Sequence, residues 1–233
     1  AATFEGVTTL FEQIKEATHL QAWAETAHLA DGPQLFILEE LTGGGKTEAA
    51  LTLAARLMEA GRGRGVYLAL PTMATADAMF DRVRKNDRFK RFFAEGRASL
   101  TLAHSAERLK FALEKSNRRD SGYGKDETES ASEHCTAWLS DNRKKALLAD
   151  FGVGTIDQAL LSILSAKHQA LRLLGISTKV LLIDEVHACD AYMGELLEHL
   201  LAFHAALGGS AILLSATLPF NQRARYLSAF ASG

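Results

Sequence analysis

Three short stretches of this 233-residue chain hold side chains whose types and spacing could do chemistry. The first is Gly43-Gly44-Gly45-Lys46-Thr47, which follows the apolar run Leu35 to Glu39 and opens a stretch rich in Ala and Leu. Glycines let backbone N–H groups approach an anion closely, and a helix starting at the lysine adds the positive end of its dipole. In that arrangement Lys46 holds the β and γ phosphates of ATP and Thr47 ligates Mg²⁺, the chemistry of a P-loop. The second stretch, Lys179 to Ala188 (KVLLIDEVHA), ends an apolar run in adjacent carboxylates. Asp184 is the expected Mg²⁺ ligand. Glu185 is placed to orient or deprotonate a water attacking the γ-phosphate, a reaction that needs in-line positioning more than covalent chemistry. His187 could sense the γ-phosphate or pass its state toward the third stretch. That third stretch is Ser215-Ala216-Thr217, after the apolar run Ala211 to Leu214, with Ser215 and Thr217 as candidate coupling hydroxyls. Each motif alone has a bland reading as a polar turn at a strand end; their order along one chain favours the functional one.

Such groups must be positioned by strands that end at a common edge. From Leu35 onward, short apolar runs alternate with longer amphipathic ones, the pattern of an α/β fold with a mostly parallel sheet and helices on both faces. The candidate strands are Leu35 to Glu39, Gly65 to Leu70, Ser99 to Ala103, Phe151 to Thr155, Lys179 to Ile183 and Ala211 to Leu214. Candidate helices span Thr47 to Ala60, Met73 to Arg84, Ile156 to Leu174 and Tyr192 to Ala206. Residues 1 to 34 read as a helical leader, closed by the turn Asp31-Gly32-Pro33. Residues 35 to 233 read as one RecA-like P-loop NTPase domain with a polar insertion at about 115 to 133.

Composition narrows the functional classes. With 47% hydrophobic residues the chain can bury one substantial core. A net charge of −2 gives no global field for nucleic acid, so any such site must be local. Cys135 and Cys189 stand far apart, in neither a disulfide framework nor zinc spacing, which fits a reducing cytoplasm. The sequence shows neither a signal-peptide pattern nor an apolar run of membrane-spanning length.

The text between the motifs is more particular. VGTIDQALLSILSAKHQALRLLG, Val153 to Gly175, runs ahead of KVLLIDEVHACDAYM, and LALPTMATADAMFDRV lies at Leu68 to Val83. WLSDNRKKALLADFGVGTIDQ spans Trp138 to Gln158, and LLSATLP spans Leu213 to Pro219. With these stretches the chain resembles the helicase-nucleases of type I CRISPR systems, of the I-E kind. These are superfamily 2 DExH helicases, and the resemblance covers the first RecA-like domain.

The resemblance implies an ATP-driven motor that moves 3' to 5' on single-stranded DNA after recruitment to an RNA-guided surveillance complex, feeding a nuclease domain. It also implies that Pro71, Thr72, Gly154, Thr155 and Gln158 face the DNA backbone, and that Gln21 corresponds to an adenine-reading glutamine. The partner regions it implies are a second RecA-like domain, which supplies transition-state arginines, and the nuclease. Without that second domain the chain is expected to bind ATP but hydrolyse it poorly. Two departures stand out. The family writes Glu-Ala-Pro-Thr-Gly where this chain has Glu39-Glu40-Leu41-Thr42-Gly43, putting an acid near the triphosphate, and Cys189 replaces a common aromatic. Glu40 keeps open a competing reading, a non-catalytic interaction module for surveillance-complex subunits or an inhibitor protein.

Overall fold

The computed structural model of the chain describes residues 6–86, 100–102, 149–164 and 169–233. The polar insertion at 115 to 133, Cys135 and most of the Trp138 stretch lie outside the described residues.

Six strands form one sheet: β1 (Leu35–Glu39), β2 (Val66–Leu70), β3 (Leu100–Leu102), β4 (Phe151–Thr155), β5 (Val180–Ile183) and β6 (Ala211–Ser215). Their spatial order is β1-β6-β5-β2-β4-β3, and every pairing is parallel. A parallel sheet needs cover on both faces, which is why its strands read as near-continuous apolar runs. The helices are α1 (Val7–Leu10), α2 (His19–Thr26), α3 (Lys46–Glu59), α4 (Met73–Lys85), α5 (Ile156–Leu160), α6 (Gln169–Ser177), α7 (Ala191–Ala206) and α8 (Phe220–Ala231).

Strand periodicity divides the core in two. Leu68, Val153, Leu182, Ile212 and Leu214 pack with residues of α1 to α4 on one face. Tyr67, Ala69, Leu181, Ile183 and Leu213 pack with residues of α5 to α8 on the other. The stretch read as a leader belongs to the first of these clusters: Val7, Leu10, Phe11, Ala24 and Ala27 are buried against α3 and its neighbours.

The α/β class and all six strands match the sequence expectation to within a residue or two. Two differences are physical. The helix expected over Ile156 to Leu174 breaks after Leu160. There Ser162 N–H and Ile163 N–H turn back to the carbonyls of Ala159 and Leu160, and the buried Ser162 hydroxyl donates to Ala159 O at 2.6 Å. A serine bonding its own backbone competes with helix propagation. Helix α8 was not expected, because its sequence, FNQRARYLSAFA, buries only Tyr226 and shows little apolar periodicity. No helix among the described residues is long and apolar enough to cross a membrane.

Candidate functional site

Helix α3 starts directly at Lys46. Its N-cap is Gly45, held at φ 82° with no side-chain acceptor, so the first N–H donors of a 14-residue helix are left for an external anion. Gly43 has φ 86°, and a side chain in that left-handed region is strained. The loop is folded upon itself. Lys46, nearly buried, donates from Nζ to the Glu40 carbonyl at 2.5 Å. The Glu40 carboxylate accepts the Leu41 N–H at 2.9 Å, and a Cβ at Gly44 would lie 2.3 Å from Glu40 Cγ. The Glu40 side chain thus lies against Gly44, in the loop a phosphate would need. Thr47 is half-buried at the first turn of α3.

Helix α2 braces the same loop. Thr18 and Gln21 form a capping box in which Thr18 N–H donates to Gln21 Oε1 at 3.0 Å. Thr18 Oγ1 reaches Gly44 O at 3.4 Å, and Gln21 Nε2 reaches Gly45 O at 3.5 Å. Gln21 is buried, and its amide is engaged on both sides. Thr18 escaped the sequence reading, although Thr-x-x-Gln ahead of an apolar run is a capping signature.

Strand β5 delivers the acids. Asp184 N–H donates to Ala69 O at 2.9 Å, and Asp184 Oδ1 accepts the Glu185 N–H at 2.9 Å. Burial and the neighbouring Glu185 hold the Asp184 carboxyl above the usual carboxylate range, against the pull of the Glu185 N–H, Lys46 and His187. Glu185 is the only non-glycine among the described residues with positive φ, at 55°. Such a conformation costs about 1 kcal/mol or more and concentrates at functional sites.

His187 joins the second and third motifs. Its Nδ1 lies 3.1 Å from Ser215 Oγ and 3.2 Å from Glu185 Oε2, while Ser215 Oγ donates to Thr217 O at 2.9 Å. With the hydroxyl proton so used, both neighbours of Nδ1 act as acceptors, so Nδ1 carries a proton. Ser215 also reaches the loop, since its carbonyl accepts the Glu40 N–H at 3.2 Å. Removing the hydroxyl in Ser215→Ala is expected to lower stability by about 1 to 2 kcal/mol. A lower urea midpoint with an unchanged slope would register this, and an unmoved midpoint would show the bond to be idle.

The remaining predicted residues gather on the neighbouring strands. Leu70 pairs with Thr155, so Pro71 and Thr72 leave β2 at the level where Gly154 and Thr155 end β4. Thr72 is exposed and caps α4 in a box with Thr75. Thr155 is buried, with no capping hydrogen bond from its side chain, and Gln158 accepts from Arg172 Nη1 at 3.0 Å. Lys46, Asp184, Glu185, His187 and Ser215 therefore lie on the β1-β6-β5 half of the sheet edge, and the second set on the β2-β4 half. Sequence reasoning also missed Arg223, which pairs with Glu39 across 184 positions and carries no local signal.

The DEAD/DEAH box helicase family model matches residues 18–225. The chain is 40% identical over 228 residues to the CRISPR-associated endonuclease/helicase Cas3 of Escherichia coli (strain K12), covering 97% of this chain and 25% of that protein. It is 45% identical over 205 residues to Cas3 of Thermus thermophilus, covering 85% and 21%. The crystal structure of T. fusca Cas3-ATP superposes with a TM-score of 0.81 at 37% identity, over 99% of this chain and 25% of that one. A chain of a CRISPR RNA-guided surveillance complex, pre-nicking, superposes at 0.59 with 34% identity, over 92% and 19%. The chain thus spans about a quarter of the length of the curated relatives it matches. With its P-loop, acidic box and Ser-Ala-Thr triplet on one edge of a parallel sheet, the chain belongs to the DEAD/DEAH box helicase family.

Proposed function

We propose that this chain is the ATP-binding half of a motor that moves 3' to 5' along single-stranded DNA in CRISPR interference, working with an RNA-guided surveillance complex. The observation that carries the reading is the meeting of Lys46, Asp184, Glu185, His187 and Ser215 at one end of the β1-β6-β5 strands. Similarity to T. fusca Cas3-ATP and to a chain of the surveillance complex supports the nucleotide and the partner.

In this reading Lys46 leaves the Glu40 carbonyl for the β and γ phosphates, and the open N–H groups of α3 take the same charge. Thr47 and Asp184 fit Mg²⁺. They offer hard oxygen donors, a hydroxyl and a carboxyl. Mg²⁺ usually takes one or two carboxylates plus phosphate oxygens and water, so a sparse set suits it. The bound ion would neutralise phosphate charge during transfer. Glu185 orients or deprotonates the attacking water, and His187 passes the state of the site to Ser215.

Leu41, Met73, Tyr192 and Phe220 are exposed large apolar residues in the segments that follow β1, β2, β5 and β6, Phe220 at 78%. Such a rim suits docking of a second RecA-like domain that brings arginines to the γ-phosphate. Those arginines are worth about 10³ to 10⁵ in rate in related NTPases, so the chain alone is proposed to bind ATP and hydrolyse it slowly.

Thermal unfolding tests the binding step. Mg-ATP at about a hundredfold excess over Kd adds about 2.7 kcal/mol, or about 5 to 10 °C for a domain of this size. The rise should vanish in Lys46→Ala. Absence of any rise in the wild-type chain would favour the competing interaction module, for which the Glu40 carboxylate on the loop is the supporting observation.

A further inference from the structure

Arg172 is a buried cation with an unusual partner. It lies on α6 at 8% exposure, and its Nη1 donates to Gln158 Oε1 at 3.0 Å. Its Nε is buried with no hydrogen-bond partner among the described residues. Burying a guanidinium for a single neutral acceptor is costly, so the arrangement calls for a reason beyond packing.

The chemistry of the pair supplies one. Arginine can only donate, so the amide atom facing it must be the oxygen. With Oε1 turned to Arg172, the two N–H donors of Nε2 form the other end of the half-buried Gln158 amide. A free glutamine presents either end of its amide according to its rotation, whereas this one is held with Oε1 toward Arg172. Gln158 lies one turn after Thr155, whose strand register pairs it with Leu70, the residue before Pro71 and Thr72. An amide N–H and the exposed hydroxyl of Thr72 suit the phosphate oxygens of a nucleic-acid backbone, which accept without regard to base.

We propose that Arg172 is a positioning residue that locks the Gln158 amide with its N–H donors toward single-stranded DNA, so that this part of the track donates to phosphate oxygens. The inference rests on the polynucleotide reading of the β2-β4 edge and deepens it. Arg172 itself does not touch the strand.

The test is anisotropy of a labelled oligothymidylate with the wild-type chain, Arg172→Met, Arg172→Lys and Gln158→Glu over a salt series, with thermal midpoints alongside. Arg172→Met should weaken binding about tenfold, the loss of a well-aimed donor pair. Its slope of log K against log salt should equal that of the wild type, because no cation leaves the phosphates, and any Mg-ATP midpoint rise should persist. Arg172→Lys, which retains a donor, should recover most of the affinity. Gln158→Glu should stay folded, its new carboxylate paired with Arg172, yet bind at least tenfold more weakly. Wild-type affinity in Arg172→Met overturns the assignment, as does a slope reduced by about 0.7, the mark of a lost direct phosphate contact. Should Arg172→Met fail to fold, wild-type affinity in Gln158→Glu overturns it instead. No binding by the wild-type chain would sink the polynucleotide reading itself, which is a separate result.

Discussion

A Gly45→Ala chain is expected to unfold about 5 to 15 °C below the wild type and to lose any midpoint rise with Mg-ATP. Two independent penalties act at this residue. Its φ of 82° lies where a side chain is strained, and an added Cβ would sit 2.3 Å from Gln21 Nε2. The first costs about 1 kcal/mol or more. The second is harder to relieve, because Gln21 is buried and its Oε1 is held by Thr18 N–H in the cap of α2. Displacing Gln21 breaks the capping box and the contacts of α2 with the loop, for a total of about 2 to 4 kcal/mol. A Gly43→Ala chain separates the two penalties. Gly43 has φ 86° but no atom within 4 Å of an added Cβ, so it should lose only the conformational part. Equal midpoints for the two variants would mean that the brace from α2 contributes nothing.

The second large effect is a loss of stability in acid centred on His204. This residue lies near the end of α7, almost wholly buried, and its Nε2 donates to Ser210 O at 3.1 Å. Burial takes the ring down to about 4, although the Ser210 carbonyl favours the protonated form. In the unfolded chain the ring takes up its proton near pH 6.5, whereas the folded ring resists until about pH 4. The unfolded state therefore binds more protons across that window, and stability falls as pH drops from 6.5 toward 4. The full loss amounts to about 3 kcal/mol. Asp184, whose carboxyl is held high by burial, acts in the opposite sense, since its penalty is relieved as it protonates. Urea unfolding of the wild type and of His204→Gln across pH 4 to 7 isolates the histidine. The variant should have a flatter profile, and parallel profiles would refute the assignment.

Much of this architecture was legible because a parallel sheet leaves an unambiguous trace. Strands such as Val180–Ile183 and Ala211–Ser215 are buried on both faces, and they read as unbroken apolar runs ending in the candidate site residues. The P-loop was legible for the same local reason, with strand, glycines and helix contiguous. What stayed hidden depends on contacts between distant segments. Gln158 and Arg172 are 14 positions apart on either side of a helix break, at a spacing that no regular element brings together. Glu39 and Arg223 meet only because β1 and β6 are neighbours in the sheet. Helix α8 was missed because its single anchor, Tyr226, supplies too little periodicity to stand out from a polar loop. Gln21, which the resemblance assigns to adenine, has contacts that the sequence could not show: its amide meets Thr18 N–H in the cap of α2 and the Gly45 carbonyl in the loop.

The bond from Asp184 N–H to Ala69 O spans the seam between the two halves of the edge. It continues the β2-β5 ladder past the last paired residues, so the acid of the nucleotide half is fastened to the strand that carries Pro71 and Thr72. A continuous ladder of six strands, clad on both faces, has no plane along which one half can shear against the other. In mechanical terms the domain is a stiff beam. Under the proposed function, work from the phosphate end would move a bound strand by pivoting this beam as a unit against a second body. The stroke length would then be set by the angle of that pivot and the distance along the edge from Lys46 to Gln158.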